Sequence, residues 1–275
     1  MLDLKSSLTP CQYQVELDTA LYLKENAVMQ TTTRYLWEYS ATQTAWNTMQ
    51  VELKVLHSEM QHAVDTDATV SLAKLMNIPL DYLSIKLDNY GIPVQISNKA
   101  EILAKWEKVK ARFLSEMKPD EALQKVLLKC DSDFANVEST LLSSLLYFLF
   151  FSPVYYKHTD PVKRSFWFPS VLNHGASLQN RVTQELATRN PEAAVYTQTC
   201  RHTNYGDGDL AGKYKKDLGA YLDAPFDYQF SLDAKNIYSR RDGMLQSVVA
   251  TIREAASRQY VYENRVSISL TQSNP

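Results

Sequence analysis

The sequence predicts an α+β fold with two antiparallel β-meanders, N-terminal and C-terminal, forming a curved sheet or two packed sheets, and a central helical block covering one face. Three observations carry that expectation. Apolar and polar residues alternate with a period of two near both ends of the chain, the pattern of strands with one wet face. The middle changes to helical spacing. Tyr is frequent at 17 residues while Gly is scarce at 7, a balance that suits pleated strands. The boundaries that follow are an N-terminal meander over 1–60, a helical block with a short β-hairpin over 61–151, and a β-rich region over 152–275. At 275 residues and 45% hydrophobic, the chain can bury a core as one domain or two intimately packed ones.

The first strand is expected in "QYQVELDTALYL", where Tyr13, Val15 and Leu17 alternate with Gln12, Gln14, Glu16 and Asp18. A second follows at "TTTRYLWEY", with Tyr35, Trp37 and Tyr39 on one face, and a third at "TMQVELKVLH", with Met49, Val51, Leu53, Val55 and His57 on one side. "TDATVSLAKLMNI" is a short helix candidate. In "LSIKLDNYGIPVQISN", Asp88-Asn89-Tyr90-Gly91 has the chemistry of a hairpin turn between two short strands. Asn98, three residues before Glu101, is placed to cap the next helix, whose apolar stripe is Ile102, Trp106, Val109, Phe113 and Met117. Lys118-Pro119-Asp120 ends that helix and begins another. "DSDFANVESTLLSSLLYFLFF" then predicts a helix buried toward its end.

From Ser152 to Arg201 the aromatics, prolines and charges suggest a packed loop, ending in a strand at "AVYTQTCRHT". Three strands close the chain, at "FDYQFSLD", "MLQSVVATIREA" and "YVYENRVSISL". "YQVELD" from Tyr13 echoes "YQFSLD" from Tyr228, which fits either a duplication or a shared amphipathic pattern. The hairpin "LDNYG" followed by an Asn-capped, Trp-bearing helix resembles a style met in bacterial cytosolic proteins.

Composition removes several classes. A net charge of −2 supplies no field for nucleic acid or an acidic membrane surface. The apolar run Leu141–Phe151 is too short to cross a bilayer, which takes about 20 residues. Three scattered cysteines, Cys11, Cys130 and Cys200, and an opening segment without a signal-peptide core predict a cytoplasmic, reduced protein. No phosphate-cradling loop, nucleophile elbow or dinucleotide fingerprint occurs, so no cofactor is expected.

The most suggestive stretch for chemistry is "RHTNYGDGDL". A calcium loop starting at Asp207 would place Asp209 and Gly212 well, but Ala211 and Leu218 stand where ligands are needed. Cys200 and His202 share a strand face, although no oxyanion hole or orienting group is evident. Cys200, His202, Asp207 and Asp209 are therefore secondary candidates, and a polar turn between strands is the expectation for "NYGDGD". Asp65, Asp67, Asp131 and Asp133 precede expected helices and are assigned to capping. No metal is expected.

Aromatic clusters are what remain. Tyr35, Trp37, Tyr39, Tyr228 and Phe230 are the candidate contacts for a partner or ligand. They favour a non-enzymatic protein-binding module: a scaffold, an adaptor, an assembly component of a larger bacterial machine, or an immunity-type inhibitor. The alternative is a carrier of a small apolar or aromatic ligand in a curved β-sheet. A Cys/His hydrolase or transferase comes third. Another protein is the expected partner, with no nucleic acid and no membrane.

Overall fold

The computed structural model describes residues 2, 7–45, 48–62, 75–116, 120–142, 144–155, 161–172, 177–203 and 208–272. It overturns the α+β expectation of two meanders beneath a helical block. The chain is mostly one antiparallel sheet of eleven strands, in the order β5-β4-β3-β2-β1-β11-β10-β9-β8-β7-β6. The strands are β1 (Ser7–Leu23), β2 (Asn26–Ala45), β3 (Thr48–His62), β4 (Tyr82–Leu87), β5 (Pro93–Ile96), β6 (Val162–Pro169), β7 (Ser177–Arg189), β8 (Ala193–Thr203), β9 (Gln229–Ser239), β10 (Leu245–Ser257) and β11 (Tyr260–Gln272).

The reason is backbone pairing. β1 and β11, the first and last strands, run antiparallel from Gln12 opposite Gln272 to Leu23 opposite Tyr260, so each completes the other's hydrogen bonds. Two further strands, β6 and β7, arise where a packed loop was expected. Phe166 and Phe168 alternate there with the exposed Ser165 and Trp167, a period of two hidden among charges and prolines.

Among the described residues, the α-helices of six residues or more are α1 (Lys99–Glu116), α2 (Glu121–Ala135), α3 (Val137–Leu142), α4 (Leu145–Phe150) and α5 (Gly208–Leu218). α1 to α3 gather near β4 and β5. Lys105 of α1 binds Asp81 before β4 at 2.5 Å, Trp106 stacks on Phe134 of α2, and Glu138 of α3 accepts from the Ile96 amide of β5 at 3.1 Å. The expected stripe of α1 is buried at Ile102, Trp106, Val109 and Phe113, while Met117 lies outside the described residues. Glu101 and Lys105 form their i,i+4 ion pair at 3.2 Å.

Local expectations divide by how local their causes are. The hairpin turn forms as its residues dictate. Asp88 Oδ1 accepts from the Tyr90 and Ile92 amides at 2.9 Å, and Gly91 takes φ +84°. Asp120 caps α2 through the Leu123 amide at 2.8 Å. Asn98 precedes α1, but its side chain turns to β4, accepting from the Ser84 amide at 3.0 Å and donating to the Tyr82 carbonyl at 2.9 Å. Asp131 and Asp133 lie inside α2 rather than at its start. Asp131 accepts instead from Trp106 Nε1 at 2.8 Å and Lys110 Nζ at 2.7 Å. The long helix expected from Asp131 to Phe151 is broken into the end of α2, then α3, then α4. Where a polar turn was expected, Gly208 opens α5. Asp65, Asp67, Asp207 and most of the short helix candidate before Ile78 lie outside the described residues.

Candidate ligand-binding face

One face of the sheet is polar. Glu16 on β1 pairs with Arg34 on β2 at 3.2 Å, and Arg201 on β8 with Asp233 on β9 at 2.6 Å. The opposite, inner face carries the core, from Tyr13, Val15, Trp37, Tyr39, Val51 and Leu53 through Ile268, Val248, Leu232 and Phe230 to Phe166 and Phe168.

β5 and β6 are opposite edges of this sheet, so the connection between them must travel from one edge to the other. Its central part is α4, a run of Leu, Tyr and Phe with Ser144 at its N-cap. Tyr147 stacks on Trp37 of β2 with ring planes 11° apart. Phe150 meets Tyr13 of β1 edge-on at 5.1 Å. Past α4 the backbone is irregular and buried, so its polar groups need partners. Side-chain amides rising from β7, β8 and β9 supply them. Asn236 donates to the Leu149 carbonyl at 3.0 Å, Gln198 to Ser152 Oγ at 2.6 Å, and Gln184 to the Pro153 carbonyl at 2.9 Å. Tyr155 then donates to the Gly243 carbonyl at 2.9 Å, its ring lying where a Cβ on Gly91 would come within 2.5 Å.

Under this strap lies a cavity of about 20 Å³ lined by residues including Tyr13, Tyr39, Phe150, Tyr155 and Tyr238. That is room for about one water, far below the several hundred Å³ of a small-molecule pocket. The middle of the inner face is filled by the chain itself.

A second polar node holds the far end. Glu254 of β10 is fully buried and accepts from Ser170 Oγ, from Tyr228 Oη at 2.9 Å, and from the Val171 and Leu172 amides at 2.9 and 3.4 Å. Burial pushes its carboxyl above the ordinary value, and the donated hydrogen bonds oppose that shift. Neither the amide row nor Glu254 was singled out from the sequence. The available signal was a polar residue at an inward position of an otherwise apolar alternation: Asn236 between Ala234 and Tyr238, and Glu254 beyond Val248, Ala250 and Ile252.

The five aromatics proposed from sequence fall into two separate groups. Trp37 and Tyr39 are buried against α4, with Tyr35 beside Trp37 at 6.1 Å but only part-buried. Tyr228 and Phe230 are buried at the Glu254 end, where Phe230 packs on Phe168 at 4.7 Å. Cys200 is buried on β8 opposite Leu232, and burial raises its thiol pKa, which keeps it neutral. The His202 backbone sits opposite Phe230 on β9, and Asp209 lies in α5. The side chains of His202 and Asp209 are outside the described residues. Among the described residues no three His, Cys, Asp or Glu side chains are grouped to hold a metal, and no helix is long and apolar enough to cross a membrane.

One corner of the inner face is less covered. Leu17, Thr19 and Leu21 of β1, Thr31 and Tyr35 of β2, and Val55, Met60 and His62 of β3 are all part-exposed. They adjoin buried Val266, Asn264 and Tyr262 of β11. The strand register aligns His62, Thr31, Thr19 and Asn264 directly across four neighbouring strands.

No protein-family model matches the chain, and no curated protein matches it. Among solved structures, one of lipovitellin concerned with lipid–protein interactions is similar at a TM-score of 0.46 and 10% identity. The match takes in 97% of this chain but only 25% of that one, and a score of this size does not establish a shared fold.

Proposed function

We propose that the protein is a non-enzymatic carrier that binds a small apolar ligand on the inner face of its sheet, at the corner formed by β1, β2, β3 and β11. The carrying observation is that Leu17, Leu21, Tyr35 and Val55 point inward from long strands yet stay part-exposed, whereas α4 fills the middle of the same face. Apolar surface on a rigid sheet, flanked by a few polar groups, is the usual make-up of such a site. Of the sequence-proposed aromatics, Tyr35 is the one placed to touch the ligand. Trp37 and Tyr39 support it from beneath α4.

Titrating the protein with a naphthalene dye that brightens in apolar surroundings tests this. Saturable binding, displaced by long-chain hydrocarbons and weakened at least tenfold by Leu17→Glu while the melting transition persists, is expected. A dye response that does not saturate, or that L17E leaves unchanged, would rule the carrier out.

A protein partner has one observation in its favour. The edge strand β6 pairs only with β7 among the described residues, and it presents Trp167 half-exposed. An extended segment of another protein could add there as a twelfth strand. Co-purification of a polypeptide that Trp167→Arg releases would move the assignment to this surface.

A further inference from the structure

Resting on the carrier function above, we propose that the ligand is a neutral amphiphile with a hydroxyl head, such as a long-chain alcohol, and that the row His62, Thr31, Thr19 and Asn264 holds that head. The row is polar where the inner face around it is chiefly aliphatic and aromatic. Leu17 and Val266 lie on one side of it, Leu21 and Tyr262 on the other. Its hydrogen bonding is incomplete. Thr31 Oγ1 lies 2.9 Å from His62 Nδ1, and Asn264 Nδ2 donates to Tyr262 Oη at 3.3 Å. Among the described residues, that leaves Asn264 Oδ1 and His62 Nε2 buried without partners. Asn264 is itself only 8% exposed, so an unpaired acceptor there is costly until a donor reaches it.

A hydroxyl supplies the donor that Asn264 Oδ1 lacks. A carboxylate cannot donate to Asn264 Oδ1. It would also approach Glu254, which stands directly opposite Tyr262 on β10. The chain's tail would lie over Leu17, Tyr35 and Val55.

The full chain, loaded with the naphthalene dye, is titrated in parallel with hexadecanol and hexadecanoate at neutral pH. Hexadecanol should displace the dye at concentrations at least about tenfold lower, the worth of one well-placed hydrogen bond. Asn264→Leu should bring the two competitors within about twofold. Thr31→Val, a milder change on the part-exposed side of the row, should narrow the gap as well if N264L does not fold. Equal or tighter binding of hexadecanoate, or a preference that both variants retain, would overturn the head-group assignment while leaving the carrier intact. Absence of any saturable dye binding would overturn both.

Discussion

The inner face of this sheet is built in two ways. From β1 to β5 it is held by packing: Trp37, Tyr39, Tyr13, Leu53 and Ile85 are buried, and its few polar side chains collect at the part-exposed corner. From β7 to β10 the same face carries Asn180, Gln184, Gln198, Asn236 and Glu254, all buried. Those that hold the strap and the loop after β6 do so through directed hydrogen bonds. The difference follows from what each half must cover. Apolar side chains meet regular α4 over β1 and β2, whereas irregular backbone, with carbonyls left over, lies across β7 to β9. Hydrogen bonds fix the position of such backbone where hydrophobic contact alone would let it slide.

That contrast can be broken at its strongest point first. Trp37→Ala removes a buried ring stacked on Tyr147, and unfolding by denaturant should show a loss of about 3–5 kcal/mol. If the loss is instead small, α4 is not anchored by packing.

In the other half, Asn236→Leu keeps bulk but removes the amide donor to the Leu149 carbonyl, leaving it only the Ser152 hydroxyl at 3.2 Å. A cost of about 1–3 kcal/mol is expected, together with faster amide exchange around residues 149–155 than elsewhere in the sheet. Uniform exchange would show that the strap opens only with the whole fold.

The effect of Glu254 depends on pH. Its folded pKa lies above the unfolded value of 4.5, because burial outweighs the hydrogen bonds. The folded protein keeps that proton to higher pH than the unfolded chain does. Its contribution to stability is therefore full below pH 4.5 and is lost as pH rises through the raised pKa, by no more than about 1.4 kcal/mol per pH unit. Glu254→Gln should lack this slope in denaturation midpoints measured across the range. An unchanged slope would place its origin elsewhere. Smallest of all is Val249→Ser on the outer face of β10, 61% exposed, which should shift stability by no more than about 0.5 kcal/mol. A larger shift would mean that the outer face too is covered by something.

The legible parts of the fold had local causes. Strict alternation marked β1 to β3 and β9 to β11, and a turn whose Asp88 bonds its own neighbours marked the hairpin. β6 was missed because Pro161, Pro169 and the charges between them mask a short alternation, and β7 because Asn180 and Gln184 interrupt Leu178, Val182 and Leu186 on its inner face. α5 was missed because two glycines and two aspartates in "GDGD" resemble a turn until tertiary packing buries Leu210 and Tyr214. The candidate corner was partly legible: Tyr35 was named, but Thr19, Thr31, His62 and Asn264 belong to four strands, and no spacing in one strand predicts which residues of the others stand opposite.

By itself, then, the sequence determined where strands alternate, where Asp120 and Gly91 punctuate the chain, and that the helix bearing Trp106 has one apolar stripe. Periodicity, capping and turn chemistry act over a few residues. Only the tertiary structure decided that two meanders become one sheet, since that depends on β1 finding β11 across more than two hundred residues. It also decided which half of the inner face is closed by the strap and which corner stays part-open. Such an outcome depends on where a connection between opposite edges comes to rest, a matter of long-range pairing that no local pattern encodes.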